Sequence, residues 1–207
     1  MKAVFATLAS STLLSSSIYA NGLDDWDERS FKGRTQYELI SIDGGNIIKG
    51  STDGQASVLY KEQETDLLKT PVIRWRWRIE NTYDPSINEM SKQGDDYPAR
   101  LYVVAKTGFL PWQTLAINYV WSSNQPIDTH WPNAYTDNAQ MLVLDTGTEF
   151  QGQWRLHTRN IKKDFARLFA KDIDKIDGYA IMIDGDNTGS KGTAWFADIE
   201  FQNTNAN

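Results

Sequence analysis

Residues 72–79 read Val-Ile-Arg-Trp-Arg-Trp-Arg-Ile. Ile73, Trp75, Trp77 and Ile79 fall on one face of an extended chain, and Arg74, Arg76 and Arg78 fall on the other. That period of two fits a strand and not a helix. A face of two indoles and two branched aliphatics needs a second layer to cover it, so the segment predicts one wall of a layered β structure. Further along the chain, residues 94–105 read GDDYPARLYVVA. Here Ala99, Leu101, Val103 and Ala105 alternate with Arg100, Tyr102 and Val104, which predicts a half-buried strand. Two carboxylates, Asp95 and Asp96, precede it in a Gly-led turn. The simplest reading is a charge-assisted contact with Arg100, and the sharper one is the edge of a polar site.

Outward from these two segments the chain repeats the pattern. Residues 37–42, 45–49 and 56–60 read as early strands of a meander, divided by Gly-Gly and Asp-Gly turn signals. Residues 114–121, 140–145 and 154–160 are further short strands, and the last places Arg155, His157 and Arg159 opposite Trp154, Leu156 and Thr158. Residues 161–170 form the one helix candidate, with Ile161, Phe165, Leu168 and Phe169 at helical spacing behind a capping Asn160. Two closing strands follow at 178–184 and 193–201. In the second, alternation predicts Trp195, Ala197, Ile199 and Phe201 inward, with Phe196, Asp198 and Glu200 outward. Many short strands, one short helix and no alternating helices predict an all-β fold: an antiparallel β-sandwich of the jelly-roll, galactose-binding-like kind.

The first twenty residues carry Lys2, an apolar and Ser-rich run, and Ile18-Tyr19-Ala20 before Asn21. This predicts a signal peptide at 1–20, too short and polar for a membrane span, and a periplasmic or secreted protein. The remaining 187 residues (207 minus 20) suit a single domain, 21–207, without a linker. The net charge of −6 argues against general nucleic-acid binding. With no Cys and two His, thiolate metal sites, cysteine nucleophiles and the common hydrolase and zinc motifs are excluded. Eight Trp are more than a small core needs, and exposed aromatic platforms suit sugar rings.

Candidate ligand-binding residues follow from these patterns: Asp95, Asp96, Arg100, Tyr102, Trp121, His157, Arg159, Asp164, Asp184 and Asp186. If the strands carrying Arg74, Arg76 and Arg78, Arg100, and Arg155, His157 and Arg159 share one sheet, seven basic groups would gather for an anionic ligand. The alternative is separate solvated faces paired with nearby acids. The run 184–189, Asp-Gly-Asp-Asn-Thr-Gly, fails as an EF-hand loop, since Thr188 and Trp195 hold positions five and twelve. A calcium site built from Asp184, Asp186 and Asn187 is weighed against a turn whose side chains bond its own backbone. A glycosidase would draw a carboxylate pair from Asp95, Asp96, Asp164, Asp184 and Asp198. A uronate lyase would use His157 or Tyr102 with Arg100, Arg155 and Arg159.

The 94–105 stretch, Tyr-Val-Trp at 119–121, the Arg-Asn-x-x-x-Asp and Leu-Phe of 159–169, and Asp-Gly-Asp-Asn-Thr-Gly together resemble a bacterial exported family, domain of unknown function 3047, over nearly all of residues 21–207. The resemblance implies a signal peptide and a β-sandwich and implies no activity. Where the family pattern has Gly after Leu-Phe this chain has Ala170, which weakens the expected helix stop. The closing Ala-Trp-Phe-Ala-Asp-Ile-Glu-Phe is similar to the last strand of galactose-binding-like and carbohydrate-binding jelly rolls. The expectation is an exported envelope protein that binds carbohydrate or another anionic ligand. A polysaccharide-active enzyme, or a structural or partner-binding envelope protein, is the alternative.

Overall fold

The computed structural model describes residues 22–42, 45–108, 110 and 113–204; the signal peptide expected at 1–20 lies outside them. In chain order the strands are β1 (Asp27–Lys32), β2 (Gln36–Ile42), β3 (Gly45–Asp53), β4 (Ala56–Asp66), β5 (Val72–Ile79), β6 (Ala99–Lys106), β7 (Thr114–Ser122), β8 (His130–Asn133), β9 (Thr136–Thr146) and β10 (Arg155–Asn160). Helix α1 (Ile161–Phe169) and strands β11 (Lys175–Asp184) and β12 (Lys191–Gln202) complete the chain. They make a seven-stranded sheet, β1-β4-β11-β6-β7-β9-β8, and a five-stranded sheet, β10-β5-β12-β3-β2. The expected β-sandwich is therefore present. Its pairing is antiparallel with one exception, since β7 and β9 run parallel. The chain leaves β7, forms the edge strand β8, and turns back to place β9 between the two.

The core is the aromatic stack that residues 72–79 foretell. Trp75 and Trp77 are fully buried and meet edge to face at 5.5 Å. Across the sandwich Trp75 lies 5.4 Å from Tyr119, and Trp77 lies 6.3 Å from Trp121. Ile73 and Ile79 of β5, Leu101 and Val103 of β6, and Ile181 and Ile183 of β11 fill the same interior. Burial on this scale, about 25 cal/mol per Å² of apolar surface, is what holds the two sheets face to face.

Several local expectations change. The early segments are not one meander: β2 and β3 lie in the five-stranded sheet, whereas β4 lies in the seven-stranded one. Strand β12 starts in the opposite sense to that expected, with Ala194 and Phe196 in the core and Trp195 half-buried outside. A register shift between Ala197 and Glu200, with Asp198 at φ 53°, then returns Ile199 and Phe201 to the interior side. A bulge adds one residue and so exchanges the two faces of a strand. Helix α1 has the expected cap: the Asn160 side chain accepts from the Lys163 N–H at 3.0 Å. At its other end Ala170 adopts the left-handed conformation (φ 52°, ψ 36°), and its N–H bonds the Ala166 carbonyl. The helix stops where glycine would have stopped it, with a methyl group in a region that favours glycine.

Candidate functional site

Strand β6 is not half-buried as its alternation suggests; both of its faces are buried. One row, Ala99, Leu101, Val103 and Ala105, fills the core. The other row lies on the outer face of the seven-stranded sheet, where Arg100 registers with Met182 and Tyr102 with Ala180 and Asn118. A pocket on this face is lined by Phe31, Asp95, Arg100, Tyr102, Asn118, Asn133, Ala139, Met182 and Asp184. Further along the same face a second depression runs over Val104, Gly178 and Ala180 beside Tyr60. Small residues make the floor. A Cβ added to Gly178 would lie 2.4 Å from the Lys61 carbonyl oxygen, so only glycine lets the neighbouring strand approach this closely.

At one end of the pocket Arg100 is held on two sides. Its Nε and Nη2 donate to the two carboxylate oxygens of Asp184 at 3.0 and 2.5 Å. Nη2 also donates to the Asp95 carbonyl at 2.6 Å and Nη1 to the Asp95 carboxylate at 3.4 Å. Arg100 and Asp95 are each 3% exposed and Asp184 is fully buried. Burial alone would lower the Arg100 pKa, but its neighbours, Asp184 above all and Asp95 among them, reverse this and hold it well above its ordinary value. The Tyr102 phenol is pushed up, chiefly by burial, and its hydroxyl lies 3.2 Å from the Met182 sulfur. The turn before β6 is fixed by Gly94, where a Cβ would lie 2.3 Å from the Asn88 carbonyl oxygen.

Asp96 does different work. Its carboxylate accepts from the Asn187 and Thr188 N–H groups at 2.9 and 2.7 Å, from the Thr188 hydroxyl at 2.8 Å and from the Asn187 amide at 2.9 Å. It therefore pins the loop after β11 to the turn before β6. Oxygens of Asp96, Asp184 and Asp186 lie within 4.8 Å of one another, close enough to share a cation. The donor set does not suit one, however. Asp184 is committed to Arg100, Asp96 to the loop, and the Asn187 amide donates to Asp96 and accepts from the Tyr135 hydroxyl at 3.1 Å.

Asn118 is the residue the pattern reading passed over. It is 2% exposed, lines the pocket, and its amide has no hydrogen-bond partner among the described residues. Its amide is not among the fully buried unpartnered groups, which are Glu28 Oε1, Thr65 Oγ1, Trp75 Nε1, Arg78 Nε and Tyr83 OH, so it is available to a ligand in the pocket. The available signal was one amide within the apolar run Leu-Ala-Ile-Asn-Tyr-Val-Trp, in register with Tyr102. Asn133, also unforeseen, donates to both carboxylate oxygens of Asp95 at 3.3 and 3.2 Å.

The remaining candidates do not reach this pocket. Trp121 is fully buried between the sheets, where its indole N–H donates to the Gly147 carbonyl at 3.1 Å. Strand β10 pairs His157 with Trp75 and Arg159 with Ile73, which puts Arg155, His157 and Arg159 on the core side of the five-stranded sheet. Arg74 and Arg76 register with Thr158 and Leu156 and, with Arg78, face outward. Arg100 belongs to the other sheet, so the seven basic groups do not converge. Those of β10 instead close the edge of the sandwich. Arg159 forks onto Asp164, which also accepts from the Tyr119 hydroxyl at 2.8 Å. Fully buried Asp145 accepts from the Trp77 indole at 2.7 Å and Arg155 at 2.9 Å, and meets His157 at 2.6 Å. Every acid in that network has its partners, as a structural network requires.

The sequence matches the family model described as "Protein of unknown function (DUF3047)" over residues 24–200. No curated protein matches it. Distant likenesses among solved structures include TmCBM61 in complex with β-1,4-galactotriose, at 10% identity and a TM-score of 0.40 over 87% of this chain and 90% of that one. A cellulase derived from Cel12A of Rhodothermus marinus matches at 10% identity and a TM-score of 0.49, over 86% and 96%. The family 11 xylanase of Neocallimastix patriciarum matches at 10% and 0.45, over 86% and 91%. No described helix is long and apolar enough to cross a membrane.

Proposed function

The chain belongs to the DUF3047 family, and we propose that it binds a neutral glycan chain on the outer face of its seven-stranded sheet and does not cleave it. The unpartnered Asn118 amide carries this reading. An amide needs a ligand that both donates and accepts, and sugar hydroxyls do both. Around it, Phe31 offers an apolar ring, Tyr102 a hydroxyl, and Asp95 and Asn133 further polar atoms. Charge argues for a neutral ligand over the anionic one. In the pocket lining one guanidinium, Arg100, faces the two carboxylates of Asp95 and Asp184, a formal sum of −1, and most of its N–H groups are already in use. An incoming carboxylate would meet net repulsion.

The same arrangement disfavours hydrolysis. A glycosidase needs two carboxyl groups free to face the scissile bond. In this pocket Asp95 and Asp184 are both bound to Arg100. Nearby, Asp96 is committed to the loop after β11, and Glu89 accepts from the Ser122 hydroxyl and from the Ser123 N–H at 2.6 Å.

Calorimetry against neutral β-linked oligosaccharides of gluco-, xylo- and galacto-configuration tests the proposal. Asn118→Ala should weaken the bound sugar about fivefold to tenfold, the value of one or two hydrogen bonds, with no release of reducing ends. Equal binding by wild type and variant, or no neutral ligand at all, would refute it; reducing ends would make the protein an enzyme. Export to the periplasm or beyond is part of the same proposal. Mass spectrometry of the protein from its native host should find Asn21 at the N-terminus, and an intact Met1 would count against it.

A further inference from the structure

On the opposite side of the molecule, the outer face of the five-stranded sheet carries Arg74, Arg76 and Arg78 of β5. Two have acids: Arg76 Nε donates to Asp198 at 2.5 Å, and Arg74 lies 3.9 Å from Glu200. Arg78 has no acid and no hydrogen bond among the described residues, and its Nε is buried without a partner. Its guanidinium is instead held between indoles, 3.9 Å from the Trp195 ring centroid and 5.5 Å from that of Trp154. Arg76 lies against the Trp154 ring at 5.2 Å, so the surface builds up as Trp195, Arg78, Trp154, Arg76. Trp195 and Trp154 are both half-buried, and Trp195 faces this side because it registers directly with Arg78, ahead of the bulge in β12.

A guanidinium flanked by two aromatic rings is fixed in plane by cation–π attraction, and only its terminal N–H edge remains for a ligand. That edge presents two parallel donors with the spacing of a carboxylate, at no cost in ordering a flexible side chain. Because this guanidinium forms no salt bridge among the described residues, the ligand it suits is anionic. We infer that Arg78, with Trp154 and Trp195, forms a second binding site, for the carboxylate of a uronic-acid-containing glycan. The half-buried indoles favour sugar over peptide, since a pyranose can lie on an aromatic ring while its carboxylate reaches the guanidinium. This site stands on a different sheet from the pocket at Asn118 and does not depend on it.

The test is calorimetry of the full chain with trigalacturonate, its methyl ester and a glutamate-rich peptide. Trigalacturonate should bind with an affinity that falls as salt rises, and both Arg78→Ala and Arg78→Lys should weaken it at least tenfold. The methyl ester should bind at least tenfold more weakly than the acid, and Asn118→Ala should leave trigalacturonate binding unchanged. Failure of trigalacturonate to bind up to about 10 mM, or equal binding by the Arg78 variants, overturns the site. Binding of the peptide alone, with the same dependence on Arg78, overturns the assignment to a glycan. Unchanged melting curves for both variants would show that a loss of binding is not a loss of fold.

Discussion

Replacing Arg100 by methionine, which has similar reach and no charge, should be among the most costly single changes in this protein. The structure sets the size. Arg100 donates twice to Asp184 and twice to residue Asp95, and neither carboxylate has access to solvent in exchange. Removing one partner of a buried ion pair costs about 3–5 kcal/mol, mostly through the charge left behind. The penalty should therefore fall when that charge is removed as well. Asp184→Asn keeps an acceptor for the Tyr97 N–H, now 3.1 Å from the Asp184 oxygen. The double variant Arg100→Met, Asp184→Asn should thus recover about 1–3 kcal/mol relative to Arg100→Met alone. Urea denaturation followed by circular dichroism measures both, with an unchanged m-value confirming that the same transition is compared. If Arg100→Met unfolds too readily to measure, Arg100→Lys, which keeps the charge and loses the fork, provides the smaller step. A cost below about 1 kcal/mol for Arg100→Met, or full additivity of the two substitutions, would refute the argument that a buried, mutually dependent pair anchors this end of the pocket.

Ala170→Gly should stabilise the protein by about 0.5–1 kcal/mol, because the left-handed strain at φ 52° outweighs the extra chain entropy of glycine. Thermal melting should show a rise of about 1–4 °C, and a fall would contradict the reading of this helix end. Burial raises the Glu89 carboxyl above its ordinary value of 4.5, against the hydrogen bonds from Ser122 and Ser123 that lower it. The folded state therefore holds this proton more tightly than the unfolded chain, and the stability this lends is complete below 4.5 and lost as pH rises through the raised value. Melting curves should show wild type losing stability relative to Glu89→Gln as pH rises through that window; a constant difference would remove the argument. Calcium at millimolar concentration should leave the melting temperature of metal-stripped protein unchanged, and a rise would mean that Asp96, Asp184 and Asp186 bind it despite Arg100.

Sequence periodicity revealed the walls of the sandwich and failed where periodicity is locally broken. Strand β5 was fully legible because its apolar and arginine rows alternate without interruption for eight residues. Strand β12 was not, because the bulge at Asp198 reverses the pattern midway and alternation has no term for an inserted residue. Edge strands β1 and β8 carry little alternation: the first reads Asp-Glu-Arg-Ser-Phe-Lys and the second contains Pro132. The proximity of Asp95 to Arg100 was visible as spacing along one chain, whereas Asp184, which binds Arg100 more tightly, lies 84 residues away. Asn118 went unnoticed because a lone amide in a strand has no motif, and its importance depends on the pocket it lines.

The two outer faces follow from the same rule of alternation with opposite chemistry. In β5 the outward row is all arginine, and the cross-strand neighbours available to it are Trp195, Ala197 and Glu200. Charge there is shared between indoles and a few acids, leaving Arg78 with none. In β6 the outward row has a single arginine, and the end of β11 and the turn before β6 hold it between Asp184 and Asp95. An excess of carboxylate at one face and an unpaired guanidinium at the other make it unfavourable for one ligand chemistry to serve both. The neutral ligand assigned to the Asn118 pocket and the carboxylate assigned to Arg78 are therefore separable by salt. Rising ionic strength should weaken binding at Arg78 and leave binding at Asn118 nearly constant, and parallel salt dependence at the two sites would mean that the division of charge between the faces does not govern recognition.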